Sequence, residues 1–211
     1  DDVANERPYY FTMGMLMNLE TSKVDTLFHR DGFVRGAQFS PDGKKLLFTG
    51  TPEAFGGIGN VCPEGMIPNN YEYELFLMDL DTKKVEAITK DLAPNIKSVQ
   101  WSAFDNHLYA LCENKDLVSV FRLDMTEKKG QRNGKWQMLQ LNEPYISGSI
   151  SLAKEKPMMV YTGLSGETTD HSWVLDLKKN KHTSLTDLNP TRLAGIAMGT
   201  CKDWTYKTER G

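Results

Sequence analysis

Two short turn-centred elements alternate along this chain, and that alternation restricts its fold more than any other feature of the sequence. The first element is a strand, a tight turn and a second strand. It is clearest over Ala37-Gln38-Phe39-Ser40-Pro41-Asp42-Gly43-Lys44-Lys45-Leu46-Leu47-Phe48, where Pro41 presets φ and Asp42-Gly43 accepts the reversal. It returns from Val99 to Ala110, and in degraded form from Ser149 to Tyr161. The second element is a hairpin whose first strand ends in Asn or Asp. Its four copies set Asn18, Asp79, Asp124 and Asp176 at that strand end, followed by polar turns such as Asp81-Thr82-Lys83-Lys84. A short carboxylate or carboxamide there can accept hydrogen bonds from the turn backbone. Helical periodicity is almost absent.

One copy of each element makes four antiparallel strands. The residues that follow the turn Asn or Asp (Leu19, Leu80, Met125 and Leu177) are 61, 45 and 52 residues apart. Four strands recurring every ~40–50 residues form the pattern of a β-propeller blade. The long first interval holds an insertion, residues 51–73, whose glycines and prolines read as a loop rather than a fifth strand. The expected fold is all-β: a partial β-propeller of about three complete four-stranded antiparallel blades plus a half blade. The expected segments are a leading outer hairpin over 1–28, blades over 29–90, 91–142 and 143–188, and a linker over 189–211. Sheets this small cannot bury both faces alone. Stacking them would place Leu46, Phe48, Trp101, Leu108, Val160 and Leu175 in a continuous core. Closing a ring takes roughly 4–8 blades, so the chain reads as part of a larger propeller. A β-sandwich is disfavoured, because sandwich strands do not repeat paired turn types at near-constant spacing.

Composition and motifs remove several function classes. Lys plus Arg is 25 and Asp plus Glu is 28, a net charge of -3, without the basic excess of a nucleic-acid binder. No apolar run approaches the roughly 18–20 residues of a membrane span. Cys62, Cys112 and Cys201 form no CxxC and read as small buried hydrophobes, with a Cys62–Cys112 pair left open. His29, His107, His171 and His182 lack metal-ligand spacing and read as structural or solvated; no metal and no cofactor are expected. Gly163-Leu164-Ser165-Gly166 brings its second glycine one residue too early for a nucleophile elbow. Gly57-Ile58-Gly59 lacks the final glycine and the helix of a phosphate-binding loop. No catalytic residue is therefore expected. The candidates for substrate binding are Glu72 and Glu74, which flank Tyr73 at the end of the insertion, with Tyr71 and Tyr73 as aromatic lining. Period two would put both glutamates on one face as a cation-binding edge; solvated carboxylates and strand propensity explain the same residues without a ligand.

The run Phe39-Ser40-Pro41-Asp42-Gly43-Lys44 resembles the propellers of the prolyl oligopeptidase family, the serine peptidases that include dipeptidyl peptidase IV, and also TolB-like propellers. After the last hairpin, Leu185-Thr186-Asp187-Leu188-Asn189-Pro190 and the terminal Trp204-Thr205-Tyr206-Lys207-Thr208-Glu209-Arg210-Gly211 resemble that family's passage from its final blade into an α/β-hydrolase domain. The blades are most similar in style to bacterial, Bacteroides-type members. The resemblance implies the C-terminal part of a peptidase propeller, with the nucleophile, acid and histidine of the triad beyond Gly211. It implies an α/β-hydrolase domain of the same parent chain and a peptide substrate as partners, and a periplasmic or secreted setting. It also makes the 51–73 insertion a candidate for reaching toward partner domain or substrate. The alternative is a TolB-like propeller that binds protein partners and carries no hydrolase.

Overall fold

The computed structural model describes residues 11–63, 65–66, 71–132, 134–165, 169–186, 190–197, 199–200, 202 and 204–209. Asp187, Leu188, Asn189, Cys201, Arg210 and Gly211, which the sequence reading uses, lie outside them. The chain begins with a two-stranded hairpin, β1 (Thr12–Met17) and β2 (Val24–Asp31). Three four-stranded antiparallel meanders follow. The first joins β3 (Val34–Phe39), β4 (Lys45–Gly50), β5 (Glu74–Asp79) and β6 (Val85–Ala87). The second joins β7 (Asn95–Trp101), β8 (His107–Asn114) and β9 (Leu117–Asp124). After a small extra hairpin of β10 (Glu127–Lys128) and β11 (Gln131–Arg132), β12 (Gln137–Met138) completes it. The third joins β13 (Tyr145–Leu152), β14 (Met158–Leu164), β15 (His171–Asp176) and β16 (Lys181–Ser184). Three complete four-stranded sheets and a half unit are what the repeat predicts.

The repeated turn residues do the work their chemistry suggests. Asn18 Oδ1 accepts the backbone N–H groups of Glu20 (3.0 Å) and Thr21 (2.9 Å). Asp79 Oδ1 accepts those of Asp81 (3.2 Å) and Thr82 (2.8 Å), Asp124 that of Thr126 (2.8 Å), and Asp176 those of Lys178 and Lys179 (both 3.0 Å). Four residues on, Ser22, Lys83 and Asn180 take positive φ of 57°, 58° and 51°, which closes the turn. In the other element, Ser40 Oγ donates to Asp42 (2.6 Å) and accepts from Lys45 N–H (2.9 Å).

Between consecutive sheets lie shared cores. Leu47, Leu75 and Leu77 of the first sheet meet Ile96, Leu108, Ala110 and Leu123 of the second. Tyr109, Leu111 and Val120 on the second sheet's other face meet Ile150, Met159, Tyr161 and Leu175 of the third. Alternate residues thus serve opposite faces, as the pleat requires. Trp101 is partly buried against the first of these cores. Val160 departs from expectation: it is 38% exposed. Its neighbours Met159 and Tyr161 point into the core, so period two sends Val160 to the opposite face of the third sheet, away from the second.

Side-chain amides also tie sheet to sheet. Gln38 Nε2 donates to Val99 O and Gln38 Oε1 accepts from Trp101 N–H, both at 3.3 Å. One repeat later, Gln100 Nε2 donates to Ile150 O (2.6 Å) and Gln100 Oε1 accepts from Leu152 N–H (3.2 Å). At the outer edge, the excursion carrying β10 and β11 reaches back to the first sheet. Glu127 pairs with Lys45, Arg132 Nη1 donates to Glu86 Oε1 (2.8 Å), and Trp136 Nε1 donates to Ile88 O (2.9 Å).

Candidate functional site

The meander brings one set of strand ends together: the end of β4, the start of β5, the start of β7, the end of β8 and the starts of β13 and β15. The insertion leaves and returns at this same end, so it holds the candidate substrate-binding residues.

The base of the insertion is fixed into the fold. Phe55 packs against Phe28, Phe48 and Phe76 at centroid distances of 5.3, 5.4 and 5.3 Å. Its backbone sits in the left-handed region, at φ 54°, and its N–H donates to Asp31 Oδ2 (2.7 Å). A β-carbon-bearing residue there costs energy that this bond and the aromatic packing offset. Asn60 Nδ2 donates to Glu53 Oε1 (2.6 Å), and Ala54 is fully buried. Through Phe55, the start of the insertion therefore ties the end of the leading hairpin to the first sheet.

At the returning end, Glu74 opens β5 while residues 71–73 remain outside the strand. The Thr89 hydroxyl donates to Glu74 Oε2 and accepts from Leu75 N–H at 2.8 Å. Burial pushes the Glu74 carboxyl above the ordinary range, the Thr89 hydrogen bond opposes that, and the charge of Glu72 adds to it. The two glutamates therefore sense each other. Tyr71 is strongly exposed, and Tyr73 is at the margin of exposure.

Tyr73 also connects to residues that pattern reading did not single out. Its backbone N–H donates to Asn95 Oδ1 (2.9 Å), Asn95 Nδ2 donates to Glu113 Oε2 (2.9 Å), and Lys97 Nζ donates to Glu113 Oε1 (2.7 Å). Lys97 and Asn95 hold the Glu113 carboxyl below its ordinary range, and Glu113 raises Lys97. Asn95 and Lys97 stand two apart on β7 opposite the end of β8, and that spacing was the available signal. The result is a polar shelf spanning the first two sheets. Glu113 is neutralised by its lysine, and Glu72 and Glu74 supply the remaining negative charge. Such a shelf can hold a cationic or hydrogen-bonding end of a ligand; it offers no activated nucleophile.

Three of the four histidines take structural partners. His107 Nδ1 lies 2.8 Å from Asp105 O, and His182 Nδ1 lies 2.9 Å from the Tyr161 hydroxyl. His171 Nε2 lies 2.8 Å from Ser184 Oγ. Ser184 Oγ also donates to the Thr186 carbonyl (3.1 Å), so its one proton is committed there and the imidazole N–H donates to Ser184. That polarity is the reverse of a general base activating a serine. Burial pushes the Cys112 thiol up to about 12, as a buried cysteine should behave; Cys62, expected to be buried as well, is instead exposed on the inserted segment. Among the described residues no cluster of three or more His, Cys, Asp or Glu is arranged to hold a metal ion, and no helix is long and apolar enough to cross a membrane. Glu143, buried between the second and third sheets, accepts from Trp173 Nε1 (3.2 Å) and borders a cavity of about 310 Å³. Ser165 is described; Gly166 lies outside the described residues.

No protein-family model matches the chain, and no curated protein does. Solved structures are similar in fold. TolB from Acinetobacter baumannii aligns over 82% of this chain and 37% of its own, at 18% identity and a TM-score of 0.55. Pyrococcus horikoshii acylaminoacyl peptidase aligns over 90% of this chain and 25% of its own, at 15% identity and a TM-score of 0.59. The chain therefore spans well under half the length of either. At these identities the likeness shows the fold: successive four-stranded antiparallel sheets of the β-propeller type.

Proposed function

We propose that this chain is a non-catalytic β-propeller segment of a serine peptidase of the prolyl oligopeptidase type. Its role is to restrict and orient peptide substrates for an α/β-hydrolase domain of the same parent protein. The observation that carries this reading is the coincidence of three features at one end of the stacked sheets. These are the anchored insertion 51–73, the Glu72/Glu74 pair with Tyr71 and Tyr73, and the Asn95–Glu113–Lys97 shelf. A propeller face of this kind would limit access by size, and the shelf offers polar partners to a peptide end. Support also comes from the sequence resemblance at Trp204 to Gly211 and from the fold shared with an acylaminoacyl peptidase.

The test has two parts. The parent reading frame beyond Gly211 should encode a G-x-S-x-G followed by Asp and then His. The chain alone should leave X-Pro chromogenic dipeptides intact; turnover that survives repurification and disappears on mutating one of its residues would refute the non-catalytic role. The fold shared with TolB favours a second reading, a protein-interaction propeller without a hydrolase, which a stop codon after the propeller would select.

A further inference from the structure

The connections between strands alternate between two ends of the molecule, and charge divides between those ends. One end carries the turns 18–23, 40–44, 80–84, 102–106, 153–157 and 177–180 and the excursion 125–136. Within each complete sheet two of these connections are bonded to each other. Leu80 N–H donates to Lys44 O (3.0 Å), Met125 N–H to Asn106 O (3.0 Å) and Leu177 N–H to Pro157 O (2.7 Å). Contacts from sheet to sheet hold them side by side: Lys45 pairs with Glu127, and Lys178 Nζ lies 5.0 Å from the centre of the Phe104 ring. Among the described residues these connections hold eleven lysines and one arginine against six Asp or Glu. With the strand-terminal Lys45, Lys181, Asp79, Asp124 and Asp176 included, the count is fourteen against nine.

The opposite end, where the candidate site lies, is built from the connections 32–33, 51–73, 88–94, 115–116, 139–144 and 165–170. Their described residues hold two lysines, Lys90 and Lys115, against six Asp or Glu. The net charge of -3 hides this division. Solvation of surface turns does not produce it, because water asks for polar side chains at both ends and is indifferent to their sign. All eleven lysines of the basic end are exposed. Of these, Lys23 and Lys179 lie within 4 Å of a described carboxylate, Asp25 (3.6 Å) and Asp176 (3.9 Å); the other nine have none so near among the described residues.

We infer that the basic end is a docking surface for anionic lipid headgroups, which holds the chain at a membrane surface with the acidic candidate site turned to the water. Its charge comes almost wholly from lysine, a flexible point charge suited to a planar array of phosphates, and the one arginine is committed to Glu86 at 2.8 Å. Single-stranded nucleic acid needs exposed rings on which to stack. The rings in these connections, Phe104 and Trp136, are half-buried, the first beneath Lys178 and the second with its N–H donated to Ile88 O. A protein partner needs a desolvated interface core, from which lysine is depleted. The attachment is electrostatic. Each lysine close to anionic headgroups strengthens it about fivefold, and the attraction fades within roughly 8 Å at physiological salt.

The 211-residue chain is sedimented with phosphatidylcholine vesicles containing about 30% phosphatidylglycerol, and with vesicles of phosphatidylcholine alone. Binding to the anionic vesicles at about 0.1 M salt, its loss near 0.5 M, and none to the neutral vesicles are expected. Lys154→Gln with Lys156→Gln should weaken binding about twentyfold. Lys90→Gln with Lys115→Gln removes the same charge from the opposite end and should change binding less than about twofold. Thermal melts establish that both double variants fold. Acetylation of the vesicle-bound chain should spare the lysines of the basic end and modify Lys90 and Lys115. No binding to the anionic vesicles, equal losses from the two double variants, or equal protection at both ends would overturn the inference. So would tighter binding to a nucleic-acid duplex at matched phosphate concentration. A parent frame lacking a hydrolase would remove the peptidase reading and leave these results untouched.

Discussion

Replacing Leu108 by alanine should cost the chain about 3–4 kcal/mol, whereas the same truncation at Val160 should cost less than about 1 kcal/mol. Leu108 is fully buried between the first and second sheets, against Leu47, Leu75 and Leu77. Leucine to alanine removes the equivalent of about three buried methylene groups, roughly 2.4 kcal/mol of transfer free energy at ~0.8 kcal/mol each. The cavity left in a core built from two rigid sheets adds about another 1 kcal/mol. Val160 is 38% exposed on the far face of the third sheet, so its truncation removes little from a shared core. Urea unfolding followed by tryptophan fluorescence measures both, and a thermal melt should show Leu108→Ala lower by roughly 6–16 °C. Equal costs at the two positions would mean that both faces of the third sheet are packed, and the serial stacking of sheets would be refuted.

The remaining expectations concern single groups. Thr51 Oγ1 is buried and, among the described residues, has no hydrogen-bond partner, so Thr51→Val should stabilise by about 1 kcal/mol in the same assay. Lys83 holds φ 58° in its hairpin turn, so Lys83→Gly should raise stability by about 0.5–1 kcal/mol, and Lys83→Val should lower it. Backbone and hydroxyl hydrogen bonds depress the carboxyls of Asp42, Asp79, Asp124 and Asp176. Their stabilisation is complete above the ordinary aspartate range and is lost as pH falls through their lowered folded values, so melting temperature should drop in acid below about pH 4. Glu74 runs the other way: its raised value favours the folded state at low pH, and Glu74→Gln should lift stability near neutrality relative to pH 4.

Much of this architecture is visible in the sequence because local chemistry sets it. The Asn or Asp at 18, 79, 124 and 176 anchors its own turn, and the Ser40-Pro41-Asp42-Gly43 reversal closes by contacts within a few residues. What stayed hidden depends on distant partners. Val160 looks like a core residue until the register assigns Met159 and Tyr161 to the buried face. Phe55 sits among glycines in an apparent loop, yet three rings from three different strands enclose it. The clamp glutamines occupy matching repeat positions, but their partners lie 61–63 and 50–52 residues away. The candidate shelf was half legible. Glu72 and Glu74 stood out as a spaced pair, while Asn95, Lys97 and Glu113 join only when β7 and β8 pair beside the insertion.

The central claim is that separate four-stranded sheets stack in series, each joined to the next at its first strand. The side-chain amide protons of two glutamines report on it directly. Nuclear Overhauser contacts in the labelled chain should link the Gln38 carboxamide to the backbone of Val99 and Trp101, and the Gln100 carboxamide to that of Ile150 and Leu152. If those contacts are missing and β3 instead shows a continuous backbone ladder with β7 or β13, the strands belong to one wrapped sheet and the account fails.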